Sequence, residues 1–336
     1  MQYKIPDFFW RLALENESYN LIQPGDLVYL AISGGRDSIC LFYYLLFLRK
    51  KLNFELRLAH VNHGLRPDVD AEESKFLKAL AASYDLAYEE KVISIPELAA
   101  KSGLGIEATA RAERQAFFQD LFKAAYVQEN YIPAEIKFAL GHQKDDLAES
   151  MLLQISRGTG LSGLIGMRRR EEFYIRPLLT VSRAEITEFL DSFKLPYHDD
   201  ASNQERDYLR NALRLDLIPL WSDLIGHSIV EQLAKLSANL NSVEAVVDAV
   251  VTARMEDLLT PAGELSRRRL LSCRPELQEL ILHRYIRADD YRQAASNRQM
   301  AMILQRIRRG GGEASFDLGA NRSLKLSADR IFLVKS

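Results

Sequence analysis

The apolar positions of this chain change their spacing as it runs. Leu27, Val28, Tyr29, Leu30, Ala31 and Ile32 form an unbroken run, the pattern of a strand buried on both faces. Just beyond a Ser-Gly-Gly turn, residues 38–50 are apolar over a wide helical face. The alternation repeats: strands are expected at 54–61, 87–92 and 138–142, and helices at 7–20, 71–84, 107–128 and 145–156. Strands alternating with helices indicate an α/β fold with a parallel sheet covered on both faces. Residues 175–179 read as an edge strand or extended segment, because Pro177 has no N–H for a central ladder. Ser182 and Glu185 are spaced as a capping box opening a helix over 183–193.

After Trp221 the texture changes. Residues 228–259, 270–288 and 297–308 carry helical spacing without strands between them, and 315–326 reads as a small hairpin. At 336 residues the chain exceeds what one core usually serves. Two domains are therefore expected: an α/β domain over 1–222 and a smaller, mostly helical one over 223–336 ending in the hairpin.

A net charge of -2 rules out binding to polyanions through bulk positive charge, so any nucleic-acid contact must come from local basic patches. The two cysteines, Cys40 and Cys273, belong to no C-x-x-C pair, which argues against a disulfide framework or a cysteine-held cluster. The first residues lack the pattern of a signal peptide, and no apolar run reaches the ~18 residues of a membrane span. A soluble protein of a reducing compartment, without a membrane partner, is expected.

The distinctive polar residues cluster just past the expected strand ends, where open parallel sheets gather ligands. Ser33-Gly34-Gly35-Arg36-Asp37-Ser38 joins the first strand to its helix. A glycine turn at a helix start presents backbone N–H groups and a positive dipole end, which together form an anion site. Ser33 and Ser38 add hydroxyls, and Asp37 beside a phosphate implies an intervening Mg²⁺. No lysine followed by Ser or Thr comes after the second glycine, so this is not the common P-loop. An ordinary capped turn is the alternative.

His60-Val61-Asn62-His63-Gly64-Leu65-Arg66 ends the second strand; it suits a wall of a nucleotide pocket or a hydrogen-bonded loop better than a metal site. Glu107, Arg111 and Arg114 share a helix face, either as surface pairs or as a grip on a phosphate or carboxylate. His142, Asp145, Asp146 and Glu149 bunch three carboxylates and an imidazole at one helix start, which suits a metal or an ammonium group. A glycine-rich stretch from Arg157 to Gly166 runs into Arg168-Arg169-Arg170, as a surface loop or a closing one. Asp199-Asp200-Ala201-Ser202-Asn203 leads to Arg210, Asn211 and Arg214, one polar helix face.

The loop at 33–38 resembles the S-G-G-x-D-S signature of the PP-loop ATP pyrophosphatases. The other segments match H-x-N-H-x-L-R, E-x-x-A-R-x-x-R, H-x-x-D-D-x-A-E, R-G-x-G, R-P-L and D-x-S-N…R-N-x-x-R, in order over residues 27–219. In that combination the chain resembles the bacterial tRNA(Ile)-lysidine synthetases; Leu147 and Ser150 stand where Gln and Thr are frequent in that family.

The resemblance implies an adenine nucleotide alpha hydrolase-like fold and a cytoplasmic ligase that forms a C–N bond and splits ATP to AMP and diphosphate. Its substrates are free L-lysine and tRNA(Ile) with a CAU anticodon, whose wobble cytidine becomes lysidine. It further implies that Ser33, Gly34, Gly35, Arg36, Asp37, Ser38 and His60 bind ATP, with Asp37 on Mg²⁺. Asp146 and Glu149 seat lysine, with Asp145 supporting them or the metal; His142 shares proton traffic, Arg111 and Arg114 orient the activated cytidine or its phosphate, and Arg157 binds substrate. Arg267, Arg268, Arg269, Arg306, Arg308 and Arg309 either grip the tRNA or form a solvated face. Oligomeric state is left open, a homodimer included. A sulfur-inserting tRNA thiolase is disfavoured by the missing cysteines, an amide synthetase by the missing amidotransferase half, and a silent binding module by the completeness of both clusters.

Overall fold

The computed structural model describes residues 5–198, 209–287, 297–319 and 322–335. The chain divides into two compact units, Met1–Ala238 and Asn239–Ser336. The first opens with α1 (Asp7–Tyr19), β1 (Leu27–Ala31), α2 (Arg36–Arg49), β2 (Glu55–Asn62), α3 (Pro67–Ser83), β3 (Ala87–Val92), α4 (Ile95–Ser102) and α5 (Ile106–Gln128). It continues with β4 (Ile136–Ala139), α6 (Lys144–Ser156), α7 (Leu161–Ile165), β5 (Arg170–Glu171), β6 (Tyr174–Ile175) and α8 (Arg183–Ser192). Past the undescribed stretch come α9 (Leu209–Ala212), a π turn (Leu213–Leu217), α10 (Ile218–Ile225) and the start of α11 (Ile229–Leu258).

The sheet order is β3-β2-β1-β4-β6-β5, parallel throughout except for β5 against β6. Unbroken apolarity in β1 serves two cores. Val28 and Leu30 pack with Phe9, Phe42, Leu45 and Phe189 on one face; Leu27 and Tyr29 pack with Phe118, Leu121 and Phe138 on the other. From β1 the chain steps outward to β2 and β3, then returns to place β4 on the opposite side of β1. That reversal makes the carboxyl ends of β1 and β4 the switch point at which such sheets bind ligands.

Three local expectations differ from what is observed. The strand placed at 138–142 is Ile136–Ala139, because its partner on β1 spans only Leu27 to Leu30; Leu140 still donates to the Ile175 carbonyl at 2.9 Å, and Gly141 and His142 run past the paired residues toward the site. The extended segment at 175 is not an edge, since β5 covers β6; Pro177 falls beyond the paired residues and costs no ladder bond. The glycine-rich stretch is partly helical, at α7. The capping box at Ser182 and Glu185 forms as expected. The first unit also extends past residue 222, because Ile229, Val230 and Leu233 of α11 pack with Leu147 and Leu152 of α6.

The second unit holds the rest of α11, β7 (Leu265–Ser266), α12 (Arg267–Leu271), α13 (Pro275–Arg287), α14 (Asn297–Arg309), β8 (Ala314–Gly319), β9 (Arg322–Leu326) and β10 (Arg330–Lys335). Instead of a lone hairpin it carries a four-stranded antiparallel sheet, β7-β10-β9-β8. A two-stranded ribbon is marginal by itself; here Leu324 and Ile331 are buried against Met300, Ile303 and Ile307 of α14. The hairpin tip at 320–321 lies outside the described residues.

Arg267 corrects an expectation. It is buried, and its guanidinium donates to the carbonyls of Arg306, Ile307, Gly311 and Ser327 at 2.8–3.3 Å. It caps the carbonyl end of α14, whose last C=O groups lack helical partners and carry the negative dipole end. Arg306 and Arg308 are likewise engaged, Arg306 with Gly310 and Gly312 carbonyls and Arg308 with Gln278 and Pro275. Arg267→Ala is expected to cost about 3 kcal/mol in urea unfolding of this unit, because several buried carbonyls lose their donor. A loss below about 1 kcal/mol would show that water replaces the cap.

Among the described residues no helix is long and apolar enough to cross a membrane. Cys40 and Cys273 are both free thiols.

Candidate active site

At the carboxyl end of β1 the chain turns through Ser33, Gly34 and Gly35 into α2. Ser38, in the first turn of the helix, knots the loop: its hydroxyl accepts from Ser33 N–H at 3.2 Å and donates toward the Ser33 and Gly35 carbonyls. The end of β4 presses on this knot. A Cβ on Gly141 would stand 3.2 Å from the Ser38 nitrogen and 3.3 Å from the Asp37 carbonyl carbon, so a larger residue forces the two loops apart. The Arg36 guanidinium donates to Thr187 of α8 at 2.9 Å and lies over the Tyr197 ring.

Asp37 points inward. Its Oδ1 is buried without a hydrogen-bond partner. Burial and the neighbouring Asp146 carboxylate push its pKa up to about 6, against the pull of Arg183, Arg36 and Arg214.

β4 leads into α6, whose start is closed by a capping box between Gln143 and Asp146. Asp145 Oδ2 accepts from the Arg183 N–H at 2.9 Å and so ties α6 to the start of α8. One turn on, Glu149 is fully buried, and each of its oxygens is held by an arginine. Arg210 Nε lies 2.7 Å from Oε2, and Arg214 Nε 2.5 Å from Oε1. The same guanidiniums reach Asp146 Oδ1 at 2.9 and 3.4 Å. Burial works against charge on Arg214, but Glu149 and Asp146 outweigh it and hold its pKa above the ordinary value. Arg210 is 38% exposed and Arg214 17%. The result is a box in which Arg210 and Arg214 bracket the two carboxylates and Arg183 Nη2 stands 3.9 Å from Glu149 Oε1, anchored where the last helices widen into the π turn.

Around His142 the sign is reversed. Burial, then the guanidiniums of Arg176, Arg210, Arg114 and Arg111, push its pKa down to about 3. That environment favours the neutral imidazole. Its Nδ1 is buried and unpartnered. Burial and Arg111 also lower the pKa of Arg114 and, against the opposing Glu171, that of Arg176. Positive charge concentrated this way favours a polyanion. His60 is a brace: Nδ1 contacts the Ile32 carbonyl at 3.0 Å across β1 and β2, leaving Nε2 orphaned.

The structure therefore gathers residues 33–38, His60, Arg111, Arg114, His142, Asp146 and Glu149 at one end of the sheet. It does not gather Arg157, which is exposed at the opposite end of α6. Residues 199–203 lie outside the described residues. The sequence reading missed that Arg210 and Arg214 face the carboxylates. The signal was available: arginines at i, i+4 match acids at i, i+3, although nothing local says that the two helices meet.

A PP-loop domain family model matches residues 12–221, and the chain belongs to the PP-loop family. Within that class its similarity is to proteins named tRNA(Ile)-lysidine synthase. The one from Clostridioides difficile is 34% identical over 241 residues, 71% of this chain and 50% of that protein. The one from Caldanaerobacter subterraneus is 36% identical over 233 residues, 69% of this chain and 48% of its own length. The chain thus spans about half the length of these relatives. The one from Chlorobaculum tepidum is 31% identical over 244 residues, which are 72% of this chain and 71% of that protein. The U34-tRNA thiolase NcsA of Methanococcus maripaludis shares the fold, with a TM-score of 0.54 at 15% identity, over 70% of this chain and 78% of that one.

Proposed function

We propose that this protein ligates free lysine to C2 of the wobble cytidine in tRNA(Ile) bearing a CAU anticodon, using ATP, so that the tRNA decodes AUA instead of AUG. The observation that carries the reading is the adjacency of two unlike charge sites at the switch point: the glycine turn with its orphaned Asp37 oxygen, and the buried box on Glu149.

The cytidine carbonyl is a poor electrophile and needs a leaving group before an amine can displace it. In the proposed reaction the C2 oxygen attacks the α-phosphorus of ATP and diphosphate departs. The lysine Nε, having given up an ammonium proton to water to expose its lone pair, then attacks C2, and AMP departs with the oxygen. The turn at 33–38 cradles the diphosphate with backbone N–H groups and the start of α2. Among the described residues no three His, Cys, Asp or Glu side chains gather as metal ligands. The donor set nevertheless fits Mg²⁺, which commonly takes one or two carboxylates and completes its shell with phosphate oxygens and water. Asp37 would hold it, and the ion would neutralise phosphate charge when bound.

The box suits an amino acid because alternating carboxylates and guanidiniums complement a zwitterion: ammonium groups face Asp146 and Glu149, and the α-carboxylate faces an arginine. Lysine enters by exchanging with a guanidinium contact, most readily that of the more exposed Arg210. Arg111, Arg114 and Arg176 supply the positive field for the anticodon phosphates. Surface arginines of the second unit such as Arg268, Arg269 and Arg309 offer further contacts to the tRNA.

Radiolabelled lysine, ATP and an unmodified tRNA(Ile) transcript test the proposal. The expected result is label in the tRNA only with ATP present, with one AMP formed per lysine. Incorporation without ATP, or none with all three substrates, rejects it.

A further inference from the structure

The loop that is to hold a phosphate already holds an anion. Gly34 N–H donates to Glu73 Oε1 of α3 at 2.5 Å, a short charge-assisted bond between residues 39 apart. Its geometry is prepared on both sides. Asn62, at the end of β2, donates to Ser74 Oγ at 3.1 Å and to the Asp70 carbonyl at 3.3 Å, fixing α3 against the sheet. On the other side His198 N–H donates to the Gly34 carbonyl at 2.8 Å, and its ring packs edge-on against Phe76 at 5.2 Å. Glu73 and Phe76 are i, i+3 and share one face of α3, so the helix grips the turn from both ends of a single residue. Gly34 has no room for more: a Cβ there would come 2.9 Å from His198 Cδ2 and 3.3 Å from Glu73 Cγ.

We propose that Glu73 is a built-in anion that occupies the Gly34 N–H in place of a substrate phosphate and so sets the affinity of the turn for the diphosphate end of the nucleotide. The inference rests on the reading that this turn binds ATP. An N–H aimed at a carboxylate is not also available to a phosphate oxygen, and two anions on one donor repel. Binding therefore has to expel the carboxylate, and the observed affinity is reduced by the fraction of molecules in which Glu73 sits on the turn. The contact also keeps the turn shaped for an oxyanion.

Calorimetric titration of the full chain with inorganic diphosphate, and separately with ATP and Mg²⁺, tests this. Glu73→Ala, which removes acceptor and charge, is expected to bind diphosphate about tenfold more tightly than wild type, equivalent to ~1.4 kcal/mol. Glu73→Gln keeps the shape and loses the charge, and is expected to tighten binding in the same direction by a smaller factor. Glu72→Gln, on the exposed neighbour, is expected to match wild type. If both Glu73 variants bind diphosphate equally or more weakly while wild type binds it measurably, the carboxylate braces the turn for ligand and the proposal is overturned. If wild type binds neither diphosphate nor ATP, the nucleotide reading itself falls and takes this inference with it.

Discussion

Asparagine in place of Asp37 is expected to stabilise the ligand-free protein and to end its ATP-dependent reaction. The Asp37 carboxyl has a pKa of about 6 in the fold against 3.8 ordinarily, raised first by burial and then by Asp146. Between those two values the native protein binds more protons than the unfolded chain, so stability falls as pH rises through the interval. Above about pH 6 the native state carries the whole cost of a badly placed charge, on the order of 3 kcal/mol. Asparagine carries no charge and escapes that cost. Urea unfolding should show Asp37→Asn more stable than wild type at pH 7.5 by up to ~3 kcal/mol, with the difference gone near pH 4. Diphosphate release should fall by about a hundredfold or more, as when a preorganised electrostatic group is removed. Affinity for tRNA should stay within a few-fold. A variant less stable than wild type at pH 7.5 would mean that the charge is compensated in the empty protein and is not held in reserve for a cation.

The second large effect is expected at Glu149. Glu149→Gln removes the charge between Arg210 and Arg214 while keeping the volume. Breaking one partner out of a buried ion cluster costs about 3–5 kcal/mol; the 38% exposure of Arg210 places this case toward the lower figure. Under the proposed function the lysine KM should rise more than tenfold while the ATP KM stays within about threefold, since the PP-loop turn is untouched. Glu185→Gln serves as a comparison. Glu185 closes the capping box of α8 and pairs with Arg11, so its loss lowers stability without touching either charge site. If Glu149→Gln damaged lysine and ATP use alike, the box would be a structural support for the whole site and the lysine seat would lie elsewhere.

Much of this site can be read along the chain because its parts are local. The Ser-Gly-Gly turn, the capping residues and the acids at the start of α6 each sit within a few residues of a strand end, and strand ends follow from where apolar runs stop. The sheet order then brings β1 and β4 side by side, and both clusters arrive together. Arg267 shows the opposite case. A run of three arginines reads as a basic surface patch, yet the first is buried against carbonyls some 40 residues downstream. Nothing in its neighbours distinguishes it from Arg268, which is exposed.

From the sequence alone come the alternating α/β order, the anion-holding turn and the acids beside it, because backbone conformation and short-range spacing decide them. Only the tertiary structure decides that Arg210 and Arg214 pair with Glu149, that Glu73 sits on Gly34 and that burial and the surrounding arginines lower the pKa of His142. Those facts depend on which side chains meet across a packed sheet and on how little water remains between them. Charge in a low-dielectric interior is governed by every neighbour in space, and one-dimensional order does not list them.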